Sequence, residues 1–266
     1  MHGSLRERAR LHGINLAPQE VCSRTNLKWR TSTLDDQDCL LVHLLSLIAR
    51  SVGGPFNLLS LDMSGGDRDH HQPRGWITDA GVCSLAKAAE VGMPALAELY
   101  LDSNRITCTG IIRGLATAMQ VLSRLKVLSL EDNYIGEQGV SALADGFRLG
   151  LLPSLCDLYL TDNEMGGEGL KALVAALADR APPHLKRLGL AKNAIGDAGA
   201  LQVCRIPEGA LPSLTALYLS CNGISRIGLQ KLLETLSCSG ATLGNLQELG
   251  ISGNHAWSDG VRRPAA

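Results

Sequence analysis

The sequence predicts an α/β solenoid, a coil of stacked strand–turn–helix units, and three observations carry that expectation. Six segments share one nine-residue pattern, a glycine follows each at a fixed distance, and prolines recur just before several of them. The segments are LAELYLDSN from Leu96, LKVLSLEDN from Leu125, LCDLYLTDN from Leu155, LKRLGLAKN from Leu185, LTALYLSCN from Leu214 and LQELGISGN from Leu246. All follow LxxLxLxxN, with starts 29, 30, 30, 29 and 32 residues apart.

Each element has its own reason. In LxLxx the alternate apolar residues point to one side of a short strand and the intervening residues to the other. The Asn that closes the pattern (Asn104, Asn133, Asn163, Asn193, Asn222, Asn254) reads as structural. A short amide satisfies backbone groups left open where strand turns into loop. An apolar residue follows (Ile106, Ile135, Met165, Ile195, Ile224), then Gly110, Gly139, Gly169, Gly199, Gly228 or Gly260, six residues after the Asn. Helical patterns such as GVSALADGF and GLKALVAAL come next. Pro94, Pro153, Pro183 and Pro212 stand two residues before a strand-opening leucine, where proline ends the preceding helix and favours extended chain. One such unit cannot bury its apolar face alone, so neighbours must stack.

Composition agrees and narrows the function. The 266 residues are 45% apolar but only 3% aromatic, with 29 glycines, so the core is aliphatic and built at closely spaced, repeated positions. Lys and Arg number 25 against 26 Asp and Glu, a balance that offers no global field for a phosphate backbone or an anionic membrane. The expectation is no nucleic acid, no membrane and no small-molecule substrate. Eight scattered cysteines without CxxC or zinc spacing read as reduced, mostly buried thiols. The charged N-terminus lacks an apolar signal core, and the longest apolar run, Leu40 to Ala49, is short and contains His43. A cytoplasmic or nuclear location is expected.

The ends are less regular. Residues 1–55 are expected to form an N-terminal capping segment, with LHGINLAPQ from Leu11 a candidate degenerate repeat. An amphipathic helix over 34–50, opened by Asp35 and Asp36, is placed to cover the first strand. Residues 56–266 are expected to hold seven repeats. The first begins at Phe56 (FNLLSLDMS) with Ser64 in the Asn place, and the last is cut short after Gly260, its strand edge left to a partner or to further chain.

The run NxIxxxGxxxLxxxL after each strand makes residues 56 to 260 resemble the ribonuclease-inhibitor-like class of leucine-rich repeats. Ribonuclease inhibitor, the Ran GTPase-activating proteins and the sensor regions of NOD-like receptors share that class. The resemblance implies a horseshoe with a parallel sheet on its concave side and helices outside. Ribonuclease inhibitor alternates two repeat types, whereas every complete unit here is of the Asn type, which favours the receptor-like and GTPase-activator-like branches.

On that architecture the strand positions between buried leucines line the concave face. The position between the last two leucines reads Ser60, Tyr100, Ser129, Tyr159, Gly189, Tyr218 and Gly250, so three of the four tyrosines share one column. Tyrosine suits a strand, and exposed tyrosine also suits a protein interface. Neighbouring positions carry Asp62, Glu98, Asp102, Glu131, Asp132, Asp157, Asp162 and Glu248 against Arg187 and Lys192. Counting Lys126 and Lys186, beside the opening leucines, softens the excess to eight against four. The leading expectation is a non-enzymatic scaffold that needs no cofactor or metal. Its partner-binding residues are Tyr100, Tyr159, Tyr218, Asp102, Glu131, Asp132, Asp157 and Asp162, and the partner is a protein with a basic patch.

The insertion GGDRDHHQPRG over 65–75 carries the alternative. Ran GTPase activators place a catalytic arginine on a loop of an early repeat, and by that resemblance Arg68 and Arg74 are candidates, although the flanking sequence does not match. His70 and His71 with Asp67 and Asp69 are adjacent residues, which converge poorly on a metal. No nucleophilic triad or phosphate-binding glycine loop is legible, and Cys221 has no neighbouring His to act as its base.

Overall fold

A computed structural model describes residues 5–29, 35–54, 56–65, 76–237 and 243–254. Among them, eight three-residue strands form one parallel sheet in chain order. These are β1 (Asn26–Lys28), β2 (Ser60–Asp62), β3 (Glu98–Tyr100), β4 (Val127–Ser129), β5 (Asp157–Tyr159), β6 (Arg187–Gly189), β7 (Ala216–Tyr218) and β8 (Glu248–Gly250). A helical segment follows each of the first seven strands, and the helices of successive units pack on one another. The chain is thus an α/β leucine-rich-repeat solenoid with an open sheet. The opening, middle and last leucines of β3 to β7 are all buried, and they form one aliphatic core with the Ile or Met after each Asn.

The glycine after the Asn exists because helices crowd at their first turn. A methyl group added at Gly139 would lie 3.1 Å from the Cα of Cys108 in the preceding helix. In the third unit the crowding reaches further: residues Ile111–Leu115 adopt a π-helical turn, and a Cβ at Gly114 would meet Val82 at 2.9 Å.

The turn between Asn and helix is closed in two ways. In one, Thr78, Thr107 or Ser225 precedes the helix, and its backbone N–H and hydroxyl both donate to an aspartate of the preceding helix. Asp36 accepts from Thr78 at 2.7 and 2.6 Å, Asp79 from Thr107 at 2.8 and 2.7 Å, and Asp197 from Ser225 at 2.7 and 2.7 Å. In the other, glycine stands there with positive φ, at Gly136, Gly166 and Gly196, and its N–H donates at 2.9 Å to the carbonyl of the next unit's Asn. The residues at the aspartate place are then Cys108, Glu137 and Gly167, so the Asp is present where a hydroxyl needs it. Asp79→Ala is expected to cost ~1–3 kcal/mol, because it orphans two donors that a carboxylate served. Thr107→Gly should cost less in that background than alone, a non-additivity that a double-mutant cycle in urea checks.

Three expectations for the N-terminal part are corrected. β1 is built by Leu27 and Trp29, not by LHGINLAPQ; Leu11 ends the helix Leu5–Leu11 and is 83% exposed. The expected capping helix is the helix Asp36–Ser51, which lies between β1 and β2 as the outer helix of the first unit. The helices Leu5–Leu11 and Pro18–Ser23 pack against it instead. The unit expected from Phe56 is shifted by two residues. Ser60 pairs with Glu98, Leu61 with Leu99 and Asp62 with Tyr100, so the leucine places belong to Leu58, Leu61 and Met63. FNLLSLDMS admits both readings, and the observed one buries Phe56, Leu58, Leu61 and Met63 while leaving Leu59 at 46% exposure.

A polar cluster pins the N-terminal helices. Asp35 and Asp38 form a capping box at the start of the helix Asp36–Ser51. The buried Asp38 also contacts Arg8 at 2.9 Å and His12 at 2.9 Å, and His12 stacks on Trp29 with centroids 4.4 Å apart. Burial alone pushes the Asp38 carboxyl up, but hydrogen bonds from His12, the Asp35 N–H and Arg8 outweigh it and hold the group below its ordinary value. The thiols differ from expectation as well: among the described residues only Cys39 is buried, Cys221 is exposed, and Cys22, Cys83, Cys108, Cys156 and Cys204 are half-buried.

Candidate functional site

Parallel pairing in strict register turns each strand position into a column running across the sheet. The column at the end of the strands reads Lys28, Asp62, Tyr100, Ser129, Tyr159, Gly189, Tyr218, Gly250. Asp62, not Ser60, therefore stands beside the tyrosine row. Tyr100, Tyr159 and Tyr218 occupy alternate strands and are half-buried, which spaces them roughly 10 Å apart. The alternation of large and small has a direct cause. A Cβ at Gly189 would lie 2.9 Å from Cδ1 of Tyr159, and one at Gly250 would lie 3.0 Å from Cδ1 of Tyr218. These two rings lie over the glycine of the next strand, while Tyr100 is followed by Ser129.

The column two residues earlier reads Asn26, Ser60, Glu98, Val127, Asp157, Arg187, Ala216, Glu248. Here one expected contact residue is withdrawn. Asp157 is 5% exposed and accepts both Nε and an Nη of Arg187, at 2.8 and 2.6 Å. A carboxylate already bidentate to a guanidinium offers little to a partner. The Arg187 cation acts on both Tyr159 and Tyr218.

Asp132 and Asp162 sit beyond the strands, at positions with φ of 57° and 60°. Asp tolerates that left-handed conformation better than most residues, which gives both a structural reason to be there. Lys192 lies 3.7 Å from Asp162. They mark the rim where strand passes into loop, not the floor of the face.

Asp102 and Glu131 remain as the acidic centre, on adjacent units just past β3 and β4. Asp102 accepts from Ser129 Oγ at 2.5 Å, from the N–H of Glu131 at 2.9 Å and from Ser64 Oγ at 3.4 Å. Burial still dominates and pushes its carboxyl above the ordinary range, with the charge of Asp62 adding to the effect. Glu131 is raised likewise, by burial first and by the charge of Asp102, while the Lys192 cation opposes. The face is thus graded: carboxylates gather across β2 to β4, and cations enter from β6.

Behind this face the six asparagines form a ladder. Asn104, Asn133, Asn163, Asn193 and Asn222 are buried, and each amide spans to the unit before it, as in Asn133 Nδ2 donating to Leu101 O at 3.0 Å. Among the described residues no cluster of His, Cys, Asp and Glu is placed to hold a metal ion. Arg68, Arg74, His70, His71, Asp67 and Asp69 lie outside the described residues.

The family model described as Leucine Rich repeat matches residues 123–144, 152–174, 181–204 and 210–233, each span covering one strand and most or all of the helix after it. No curated protein matches the chain. Among solved structures the chain is similar to the one titled as the crystal structure of a TLR13–ssRNA13 complex. The identity is 18% and the TM-score 0.46, over 91% of this chain and 31% of that one, so the chain spans less than a third of that protein. The expectation that excluded nucleic acid is withdrawn, since that protein is in complex with ssRNA. A balanced net charge does not decide ligand class in a molecule whose charges are segregated over its surface.

Proposed function

We propose that this chain is a non-enzymatic protein-interaction scaffold that takes a protein partner on the concave face of β2 to β7. The observation that carries the reading is the tyrosine row beside carboxylates that are ionised at a cost. Repeat solenoids offer such extended faces for binding, and rigid amphipathic rings are favoured anchors. Asp102 and Glu131 bring like charge into partial burial, a liability to the free fold that an approaching cation relieves.

The sign gives the test. A carboxyl raised in the folded state favours folding below its unfolded pKa, and that contribution is lost as pH rises through the folded value. At neutral pH the charge of Asp102 therefore weakens the fold, and Asp102→Asn, which keeps the acceptor for Ser129 and the Glu131 N–H, should raise the melting midpoint. The gain should shrink toward pH 3 as both forms become neutral. The same variant should weaken the partner and slow its association, most at low salt. Photo-crosslinkers at Tyr159 and, as a control, at exposed Glu168 on the outer helix identify what occupies each face. A partner that crosslinks equally from both, or binds Asp102→Asn unchanged, removes the concave face from the proposal.

A further inference from the structure

The concave face contains one position that the chain fills for itself and an equivalent one that it does not. On β5 to β7, Asp157 and Arg187 are neighbours in one column, while Tyr159, Gly189 and Tyr218 follow one another in the next. The guanidinium of Arg187 takes Asp157 bidentately, and its charge acts on Tyr159. Shifted back by two strands, the same places on β3 to β5 hold Glu98 and Val127, then Tyr100, Ser129 and Tyr159. The acid and the flanking phenols are kept, a small residue again lies between the rings, and the arginine is replaced by valine. Among the described residues the Glu98 carboxylate has no hydrogen bond or ion pair, and the Tyr100 hydroxyl is pushed up by burial first and then by the charges of Glu98 and Asp62.

We propose that Glu98, Tyr100 and Tyr159 form an arginine socket, which receives one guanidinium from the protein partner at the place Arg187 occupies two strands further on. The proposal rests on the concave-face reading above and names the partner's key side chain. Charge complementarity selects a cation, because Asp102 and Glu131 lie along the same groove and Val127 leaves Glu98 without the guanidinium that Asp157 has. Geometry selects arginine over lysine: a planar fork serves a carboxylate with two donors, as Arg187 demonstrates within this chain, and such a group can lie against a phenol. Ser129 gives the floor the low profile that such a flat group needs.

The test uses the full chain with ring-labelled tyrosine, whose four residues give few resonances. The probe is the blocked peptide Gly-Ser-Arg-Ser-Gly, with lysine and neutral citrulline versions as comparisons. The arginine peptide should shift Tyr100 and Tyr159 saturably and leave Tyr134, exposed on the turn after β4, unmoved. Citrulline should bind at least ~10-fold more weakly, since it keeps the shape and loses the charge. Val127→Arg fills the socket in cis and should abolish the response while retaining the melting midpoint. Glu98→Gln should weaken it by roughly fivefold or more, and it decides the matter if Val127→Arg does not fold. An equal response to citrulline, no saturable shift, or a folded Val127→Arg that still binds would overturn the socket. So would an oligoribonucleotide that displaces the peptide from the same two rings and binds more tightly, which would assign the face to nucleic acid. The outcomes separate from those for the scaffold reading. Loss of the partner in tyrosine variants without peptide binding removes only the socket, whereas peptide binding without any effect of those variants on the partner removes only the concave-face reading.

Discussion

Leu160→Ala should destabilise the protein by ~2–5 kcal/mol, through lost burial and the cavity left between stacked units. Its side chain is fully buried, and its backbone is fixed on both sides, the N–H donating to Gly189 O at 2.8 Å and the carbonyl accepting from Asn193 Nδ2 at 2.8 Å. The backbone therefore cannot collapse into the space. Tyr159, one residue earlier, points to the opposite side of the strand and is half-buried over Gly189. Tyr159→Ala should cost under ~1.5 kcal/mol of stability, and ~2 kcal/mol of partner affinity if the ring is an anchor. Urea denaturation of both variants, compared at matched slope, decides whether the two residues face apart. Equal destabilisation would refute the register, and normal binding by stable variants at Tyr100, Tyr159 and Tyr218 would leave the row as strand-compatible surface only.

What the sequence made legible follows from how local each signal is. The nine-residue pattern names its own buried positions, so β3 to β8 and the tyrosine column can be read with no knowledge of contacts. The reading fails where the pattern is ambiguous or degraded. Phe56, Leu58, Leu59, Leu61 and Met63 allow two registers, and only stacking on β3 selects between them. At β1 the opening leucine place is Arg24, and Leu27 and Trp29 alone keep the alternation. The pairing of Asp157 with Arg187 joins residues 30 apart, and it becomes legible only when each strand is read as a row of columns. A sum of signs over the face therefore overstates its acidity: one of the counted acids is already neutralised, and two others, Asp132 and Asp162, hold left-handed turn positions. The two ways of closing the turn before the helix were present in the letters as well. Their link between Asp in one unit and Thr or Ser in the next appears only once the units are stacked.

Asn193→Ala is the substitution at which the ladder itself is tested, with an expected loss of ~3–5 kcal/mol, built from several buried groups left without partners. The Asn193 side chain is fully buried and makes four bonds. Its Oδ1 accepts from the N–H of Asn163 at 3.0 Å and of Met165 at 3.2 Å, and its Nδ2 donates to Leu160 O at 2.8 Å and Ala191 O at 3.0 Å. Water cannot replace these contacts without opening the stack between β5 and β6. Asn254 makes a similar set but is half-buried in the last described unit, so solvent can serve the groups it abandons, and Asn254→Ala should cost only ~1–2 kcal/mol. Asn193→Asp separates polarity from hydrogen-bond type. It retains acceptors, loses both donors and buries a charge, so it should match or exceed the alanine loss at pH 7 and recover as the pH falls and the acid protonates. Denaturation of the three variants at pH 7 and pH 4.5 provides the measurement. A loss below ~1 kcal/mol for Asn193→Ala, or equal losses at positions 193 and 254, would show that the leucine core holds the stack without the amides.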